Sequence, residues 1–546
     1  MTEILREDTK RIQGKDALHC NIAAAKAVAA AIKTTLGPKG MDKMIVDEAG
    51  HIIITNDGVT ILQEMHIEHP AGKMLIEVAK TQEQKVGDGT TTAVILAGEL
   101  LAEAEKLIDS GIHPTVIING YTLAEEHTQK TLKNLAIPIE NRSSLLNIAK
   151  TAMTGKGIER YKEHLAELLL EALNQVRPKE PQHTEEHKIQ YSNLPSQDQL
   201  NEENIKIETE VGLTTNHSRL INGIILDKER VHPGMPTKIN EPRVLLIDFP
   251  LEVKSTEIDA KIQLSDPTQL QRFLDHEEHH IKDIIMQIKE SGATLICCQR
   301  GIDDLAQYYL GKEKILALRR VKKSDMELLQ KLTGAKIIST PKEITTENLG
   351  NALIVEEKKH QQNIMIFIEA NKNNNNKNNI VTLLLTSPTP QNAEECKRAA
   401  TDALGDLCTA IKDKLMVPGA GAIEIELALE LEKFSQNYSS KTNLAIKAFA
   451  RTLESIPITL AQNSGLDVTD SITALRSAHT QGQKFAGINT HSTPLILNTL
   501  ENGILEPLSI KTIALASAMQ VTEMILRIDD IILGKPKKNE HKYEMD

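Results

Sequence analysis

Six consecutive residues, Gly87-Asp88-Gly89-Thr90-Thr91-Thr92, have the composition of a phosphate-binding turn. They lie between two apolar-periodic segments, at the point where a new helix begins. A helix N-terminus presents free backbone N–H groups and a positive dipole end, both of which favour an anion. The glycines let backbone approach a ligand closely, and the threonine hydroxyls add donors. Asp88 would repel a phosphate unless a cation stood between them, so an aspartate here implies Mg²⁺. Read alone, the same residues also fit a plain glycine turn with Thr90 as the helix cap.

Three further turns could contribute. Leu36-Gly37-Pro38-Lys39-Gly40 is a tight glycine turn after a helix, and by itself reads as a helix stop. Asn56-Asp57-Gly58-Val59-Thr60 puts an aspartate at a strand-to-helix turn, where it could equally be a cap. Val417-Pro418-Gly419-Ala420-Gly421-Ala422 opens a helix from about residue 423 with small residues, which is adequate as a helix start and also leaves room for a nucleotide.

Other chemistries are disfavoured. No Gly-x-x-x-x-Gly-Lys-[Ser/Thr] and no Gly-x-Gly-x-x-Gly opening a βα unit occurs. Hydrolase elbows and kinase signature sets are also missing. His276-Glu277-Glu278-His279-His280 matches His-Glu-x-x-His, but the stretch is dense in His and Glu and no third ligand follows in a known arrangement. A solvated helix face is the better reading than a zinc site. The five cysteines are scattered, odd in number and without a Cys-x-x-Cys pair, which fits a reducing cytoplasm rather than a disulfide framework.

The elements that must position these residues follow from periodicity. Residues 17–36 read as an Ala-rich helix, 74–86 as a second, and the segment after Thr92 as the clearest of all, with Val94, Ala97, Leu100, Leu101, Ala104, Leu107 and Ile108 at three- and four-residue steps. Short β-rich runs at 45–46 and 52–54 flank a hairpin turn at Glu48-Ala49-Gly50. Residues 178–204 are rich in Gln, His, Glu, Asn and Pro and read as an exposed insertion. Beyond them strands (243–248, 294–298, 335–338) alternate with helices (281–291, 303–310), the pattern of an inserted α/β domain. The Lys/Asn run 371–379 reads as a long hairpin loop between strands 364–368 and 381–385. From 393 the chain is helical again, and the charged tail from 534 reads as disordered.

At 546 residues the chain has room for about three or four domains. Aromatics are 2% with no Trp, so the core is aliphatic and base-stacking surfaces are lacking. With a net charge of −12 this argues against a nucleic-acid partner. No run of about 18 apolar residues points to a membrane.

Taken together, Thr35-Leu36-Gly37-Pro38-Lys39-Gly40-Met41-Asp42-Lys43-Met44, Thr55-Asn56-Asp57-Gly58 and Gly87-Asp88-Gly89-Thr90-Thr91, in that order and spacing, resemble the group II chaperonins, the thermosome of archaea and its eukaryotic cytosolic relatives. The resemblance spans nearly the whole chain and includes Gln299-Arg300-Gly301-Ile302-Asp303-Asp304, Asn463-Ser464-Gly465-Leu466-Asp467 and Ile525-Leu526-Arg527-Ile528-Asp529-Asp530. It implies a multidomain chaperonin fold. A helix-dominated equatorial ATP-binding domain would take residues 1–143 and 404–546. A small α/β intermediate domain would take 144–213 and 359–403. An α/β apical substrate-binding domain would take 214–358, with a helical lid protrusion at 255–282.

The resemblance further implies an ATP-driven chaperone with ATP/ADP and Mg²⁺ as ligands. Its partners would be like or paralogous subunits in a double ring, commonly eight per ring, and unfolded protein clients. By motif, Asp88 would hold Mg²⁺. Gly89, Thr90, Thr91 and Thr92 would bind phosphate, and Lys156 would sense it. Leu36, Gly37, Pro38, Gly40 and Gly58 would line the nucleotide, and Gly421 and Glu506 would lie near the nucleoside. Asp57 and Asp402 would position or activate water. Two segments depart from the family pattern: Gly419-Ala420-Gly421, where a methyl replaces the middle glycine's hydrogen, and Thr386-Ser387-Pro388-Thr389. They suggest a divergent subunit, with a nucleotide-binding structural subunit of little hydrolysis as the alternative.

Overall fold

The computed structural model describes residues 10–46, 50–176, 202–252, 267–360, 363–369, 379–491 and 494–533. The Lys/Asn run up to 378, nearly all of the 178–204 insertion, the start of the 255–282 protrusion and the tail from 534 lie outside the described residues. Two compact units emerge: one from residues up to Lys162 together with those from Thr401 onward, the other from residues between Glu163 and Ala400.

 The first unit is therefore built from both ends of the chain and the second from its middle.

The first unit is helical because its apolar residues recur at helical spacing and its breaks fall at capping residues. Gly14–Lys33, Pro70–Val86, Thr90–Asp109, Pro114–Leu135, Ser440–Asn463 and Leu508–Leu526 are its long helices. His69 and His113 cap two of them, each accepting a backbone N–H at Ala71 or Thr115, with proline in the first turn. The core between them is aliphatic, as the composition requires. Tyr121 packs within it against Phe449, edge to face at 5.8 Å, with the Tyr121 hydroxyl donating to the Leu100 carbonyl at 3.0 Å. The Lys43–Val46 and Ile52–Thr55 strands form the antiparallel hairpin that the β-rich runs predict. Helix limits differ from the sequence reading by a turn at most: the 17–36 helix is Gly14–Lys33, and the one ending at Val86 begins at Pro70.

The second unit holds two sheets. Leu316–Leu318, Leu295–Cys298, Arg243–Ile247 and Ile337–Ile338 are adjacent and parallel, with Gly350–Asn351 antiparallel to Arg243–Ile247. The helices Pro267–Ser291, Asp304–Lys312 and Lys323–Thr333 connect them, so the α/β alternation is real, with one strand (Leu316–Leu318) too short to be seen in the sequence.

The other sheet overturns an expectation. Asn363–Glu369 and Val381–Ser387 are not hairpin partners. Arg219–Leu226 lies between them, and Val381–Ser387 pairs in parallel with Ile205–Val211 on its far side. Every residue of Val381–Ser387 is buried, so a central place in the sheet suits it better than an edge.

In the His-rich stretch, Glu278 accepts from the Tyr309 hydroxyl at 2.5 Å and pairs with Lys282 at 2.7 Å, while His279 and His280 are exposed. The side chain of His276 lies outside the described residues. Glu278 is thus held by its helix neighbour and a tyrosine, in keeping with a solvated helix face.

Candidate functional site

All the candidate residues fall in the first unit, and short contacts link most of them. The Thr90–Asp109 helix has Gly89 as its N-cap, at φ 78°, following Gly87 at φ 87°. Thr90 is the first helical residue and not the cap. A left-handed backbone at both glycines is the reason for the Gly-x-Gly spacing, because a side chain there would be strained. The first intrahelical bond runs from Ala93 N–H to the Gly89 carbonyl, so helix geometry leaves the N–H groups of Thr90, Thr91 and Thr92 without an intrahelical acceptor. Gln82 holds the loop from beneath, donating to the Asp88 carbonyl at 2.9 Å and the Ile510 carbonyl at 3.2 Å.

A second helix start converges on the first. Asp57 caps Gly58–Glu64, accepting from Thr60 N–H at 2.9 Å and Thr60 Oγ1 at 2.6 Å, and its other oxygen is 3.5 Å from Thr90 Oγ1. A methyl on Gly58 would lie 2.7 Å from Thr91 Oγ1 and 3.1 Å from Thr91 N, which explains why glycine follows Asp57. The Leu36–Gly40 turn joins through Gly155: a methyl there would sit 2.8 Å from both the Gly37 carbonyl oxygen and Pro38 Cα. Asn56 donates to the Gly155 carbonyl at 2.9 Å, fixing the residue before Lys156. Leu36 turns its side chain to the core, and its carbonyl accepts from Asn463 at 2.8 Å.

Gly40 is held most tightly. Its N–H donates to the Gly37 carbonyl at 2.9 Å, and a methyl on it would meet the Thr35 carbonyl oxygen at 2.1 Å. Gly40→Ala is expected to cost about 1–3 kcal/mol through forced backbone movement. Thermal unfolding measures this as a lowered Tm; an unchanged Tm would mean that the turn is not constrained as described.

The Pro390–Asp413 helix supplies the opposite wall. Gly405 abuts Gly87, where a methyl would approach the facing Cα to 3.2 Å, and Thr409 Oγ1 donates to the Val86 carbonyl at 3.4 Å. Asp402, one turn before these contacts, is ion-paired with Lys156. Burial opposes the charge on Lys156, but Asp402, with Asp88 and Asp406 beyond it, outweighs burial and raises its affinity for the proton. Burial also raises the Asp402 carboxyl; Lys156 offsets this, while Asp88 and Asp57 reinforce it. Lys156 thus stands near Asp402, Asp88 and Asp406, and Asp57 acts on Asp402 as well.

At a third helix start, Gly421 (φ 79°) caps Ala422–Ser435, packed so that a methyl on it would lie 2.6 Å from Pro457 Cβ. Ala420 also adopts a left-handed backbone, φ 54°, and its methyl lies beside Gly487, whose own Cβ would be 3.0 Å away. Glu506 pairs with Lys511 at 2.8 Å, and Lys511 with Glu424 at 2.9 Å, all three largely buried. Burial raises the Glu506 carboxyl, Lys511 lowers it, and Glu424 and Asp88 raise it again. Thr92 lines a small void with Glu424 and Lys511.

The sequence reading missed Asp406, Gln82, Asn56, Gly155 and the Glu424–Lys511 pair. Only Asp406 carried a signal: it is four residues after Asp402 on the same helix face.

The set fits a phosphate ligand with a divalent cation. Two left-handed glycines leave space at a helix start, and one lysine cannot neutralise the surrounding carboxylates. Among the described residues no three His, Cys, Asp or Glu side chains gather into a self-sufficient metal centre. Mg²⁺ does not need one, since it is commonly held by one or two carboxylates with phosphates and water completing its shell.

Among the described residues no helix is long and apolar enough to cross a membrane. The sequence matches the TCP-1/cpn60 chaperonin family over residues 28–536. It is 48% identical to thermosome subunit beta of Archaeoglobus fulgidus over 539 residues, covering 98% of this chain and 95% of the relative. It is 47% identical to a thermosome subunit of Methanothermococcus thermolithotrophicus over 535 residues, covering 97% and 94%. With thermosome subunit alpha of Methanothermobacter thermautotrophicus the identity is 45% over 532 residues, covering 97% and 94%. On this match the helix-rich first unit and the two-sheet second unit are parts of one family fold, and the chain belongs to the TCP-1/cpn60 chaperonin family.

Proposed function

We propose that this chain is an ATP-hydrolysing chaperonin subunit whose nucleotide site is the convergence of the Thr90–Asp109 helix start with Asp57, Lys156 and Asp402. The observation that carries the reading is the Lys156–Asp402 ion pair beside a left-handed Gly-Asp-Gly turn. Phosphoryl transfer to water asks mainly for positioning and charge neutralisation. The N–H groups of Thr90 and Thr91 and the Thr90 and Thr91 hydroxyls would bind phosphate oxygens, with Gly37, Pro38, Gly40 and Gly58 lining the ligand. Asp88 would hold Mg²⁺, which when bound supplies neutralisation of phosphate charge. Asp402, with its proton affinity raised by burial, is suited to accept a proton from the attacking water, and Asp57 to orient that water. Lys156 keeps Asp402 oriented and faces the same charge. Gly421 and Glu506 would border the nucleoside.

In this reading the chain would have three domains: residues 1–143 and 404–546 equatorial, 144–213 and 359–403 intermediate, 214–358 apical. Hydrolysis would drive lid closure around an unfolded client inside a double ring of like or paralogous subunits. A steady-state ATPase assay on the purified protein tests the chemistry. Turnover that requires Mg²⁺ is expected; nucleotide binding without turnover would favour the structural-subunit alternative, which Ala420 in its left-handed conformation motivates. Electron microscopy with and without ATP tests ring count and closure, and an ATP-insensitive particle would remove the lid cycle.

A further inference from the structure

Asp406 is a charged group at this site without an assigned task. It is 2% exposed, and its Oδ1 is buried without a hydrogen-bond partner. Its position is set by backbone contacts. Gly405 rests on Gly87 and Thr409 reaches the Val86 carbonyl, so the helix turn that carries Asp406 packs against the turn that carries Asp88. After burial itself, Asp88 is the strongest influence on the Asp406 carboxyl, ahead of Lys156, Asp402 and Glu506, and together burial and these carboxylates push it well above the ordinary range. Lys156 is committed to Asp402. A buried carboxylate near others, with the nearby lysine already paired, lacks a counter-ion.

We propose that Asp406 supplies a second carboxylate to the divalent-cation site that Asp88 opens. The inference rests on reading that loop as a Mg²⁺–nucleotide site. Two hard oxygen donors from opposite walls, with phosphate oxygens and water completing the shell, suit Mg²⁺, whereas Asp88 alone would hold it from one side only. The cation would then tie the Pro390–Asp413 helix to the phosphate loop directly.

The test is titration of Mg²⁺, followed by calorimetry, and of Mn²⁺, followed by electron paramagnetic resonance, into the full-length protein saturated with ADP. Wild type is compared with Asp406→Asn and, as a second charge-removing variant, Asp406→Ala. Affinity for the divalent cation is expected to fall at least about tenfold in both. ADP binding in EDTA is expected to be unchanged or tighter, because a negative charge near the phosphates is gone. Without nucleotide, Asp406→Asn is expected to melt at or above the wild-type temperature. Equal cation affinity in wild type and variants overturns the proposal. Weaker ADP binding in EDTA also overturns it, since Asp406 would then be a protonated donor to phosphate. If wild type itself shows no Mg²⁺-dependent ADP binding, the reading of the whole site fails, which is a different result from a variant that matches wild type.

Discussion

Asp402→Ala is expected to bind ATP with near wild-type affinity and to lose turnover by about 10²–10⁴-fold, the range for removing a positioned general base. The expectation rests on placement. Asp402 projects from the Pro390–Asp413 helix into an ion pair with Lys156, whereas the residues proposed to bind phosphate (Gly89, Thr90, Thr91, Gly58) belong to other helices and keep their own contacts. Removing the carboxylate leaves those contacts in place. It also lightens the negative charge around the ligand, so binding has no reason to weaken. Single-turnover hydrolysis beside equilibrium ATP binding separates the two steps. Wild-type turnover in the variant would take Asp402 out of the mechanism, and lost binding would make its role structural.

The second large effect is expected from Lys156→Met. The acid limb of the kcat profile should move to higher pH, and turnover at neutral pH should fall by about tenfold for each pH unit of that movement. Asp402 must be ionised to accept a proton. Burial raises its carboxyl, Lys156 holds that rise back, and Asp88 and Asp57 add to it. Without Lys156 the carboxyl rises further, and activity is lost at a higher pH as the solution is acidified.

Stability should respond as well. Lys156 binds its proton more tightly in the fold than in the unfolded chain. Its contribution is therefore complete below the ordinary lysine pKa and is lost only as pH rises through the higher folded value. At neutral pH the variant forfeits all of it, and Tm should drop. A pH profile with an unmoved acid limb would show that the proton acceptor is a different group from Asp402.

Much of this site could be read from the chain because it is made of turns. Left-handed glycines and a capping aspartate are local features, each determined by its immediate neighbours, whereas Lys156 and Asp402 came only from the family resemblance. Gly87, Gly89, Asp57 and Gly421 fall where the turn chemistry requires. What escaped the sequence depends on packing between distant segments. Gly155 meets Gly37, Gly405 meets Gly87, and Gln82 reaches Ile510, and no local pattern announces such meetings.

The fold divides similarly. Helices of the first unit with long apolar stripes were legible to within a turn, as Thr90–Asp109 illustrates, whereas Pro267–Ser291 was read only from residue 281. The order of the six-stranded sheet was not, because two strands separated by a polar run resemble a hairpin whether or not a third strand lies between them. Only the pairing of Arg219–Leu226 with both neighbours decides it.

The aliphatic core has an optical consequence. With no tryptophan and only seven tyrosines in 546 residues, the protein absorbs weakly in the near ultraviolet. One adenine carried through purification would therefore distort the ratio of absorbance at the nucleotide and protein maxima visibly. A bare spectrum, taken before and after stripping with a chelator, would reveal whether the site between the two glycine turns leaves the cell filled. A single tryptophan placed near Gly487 would report filling against an otherwise dark background.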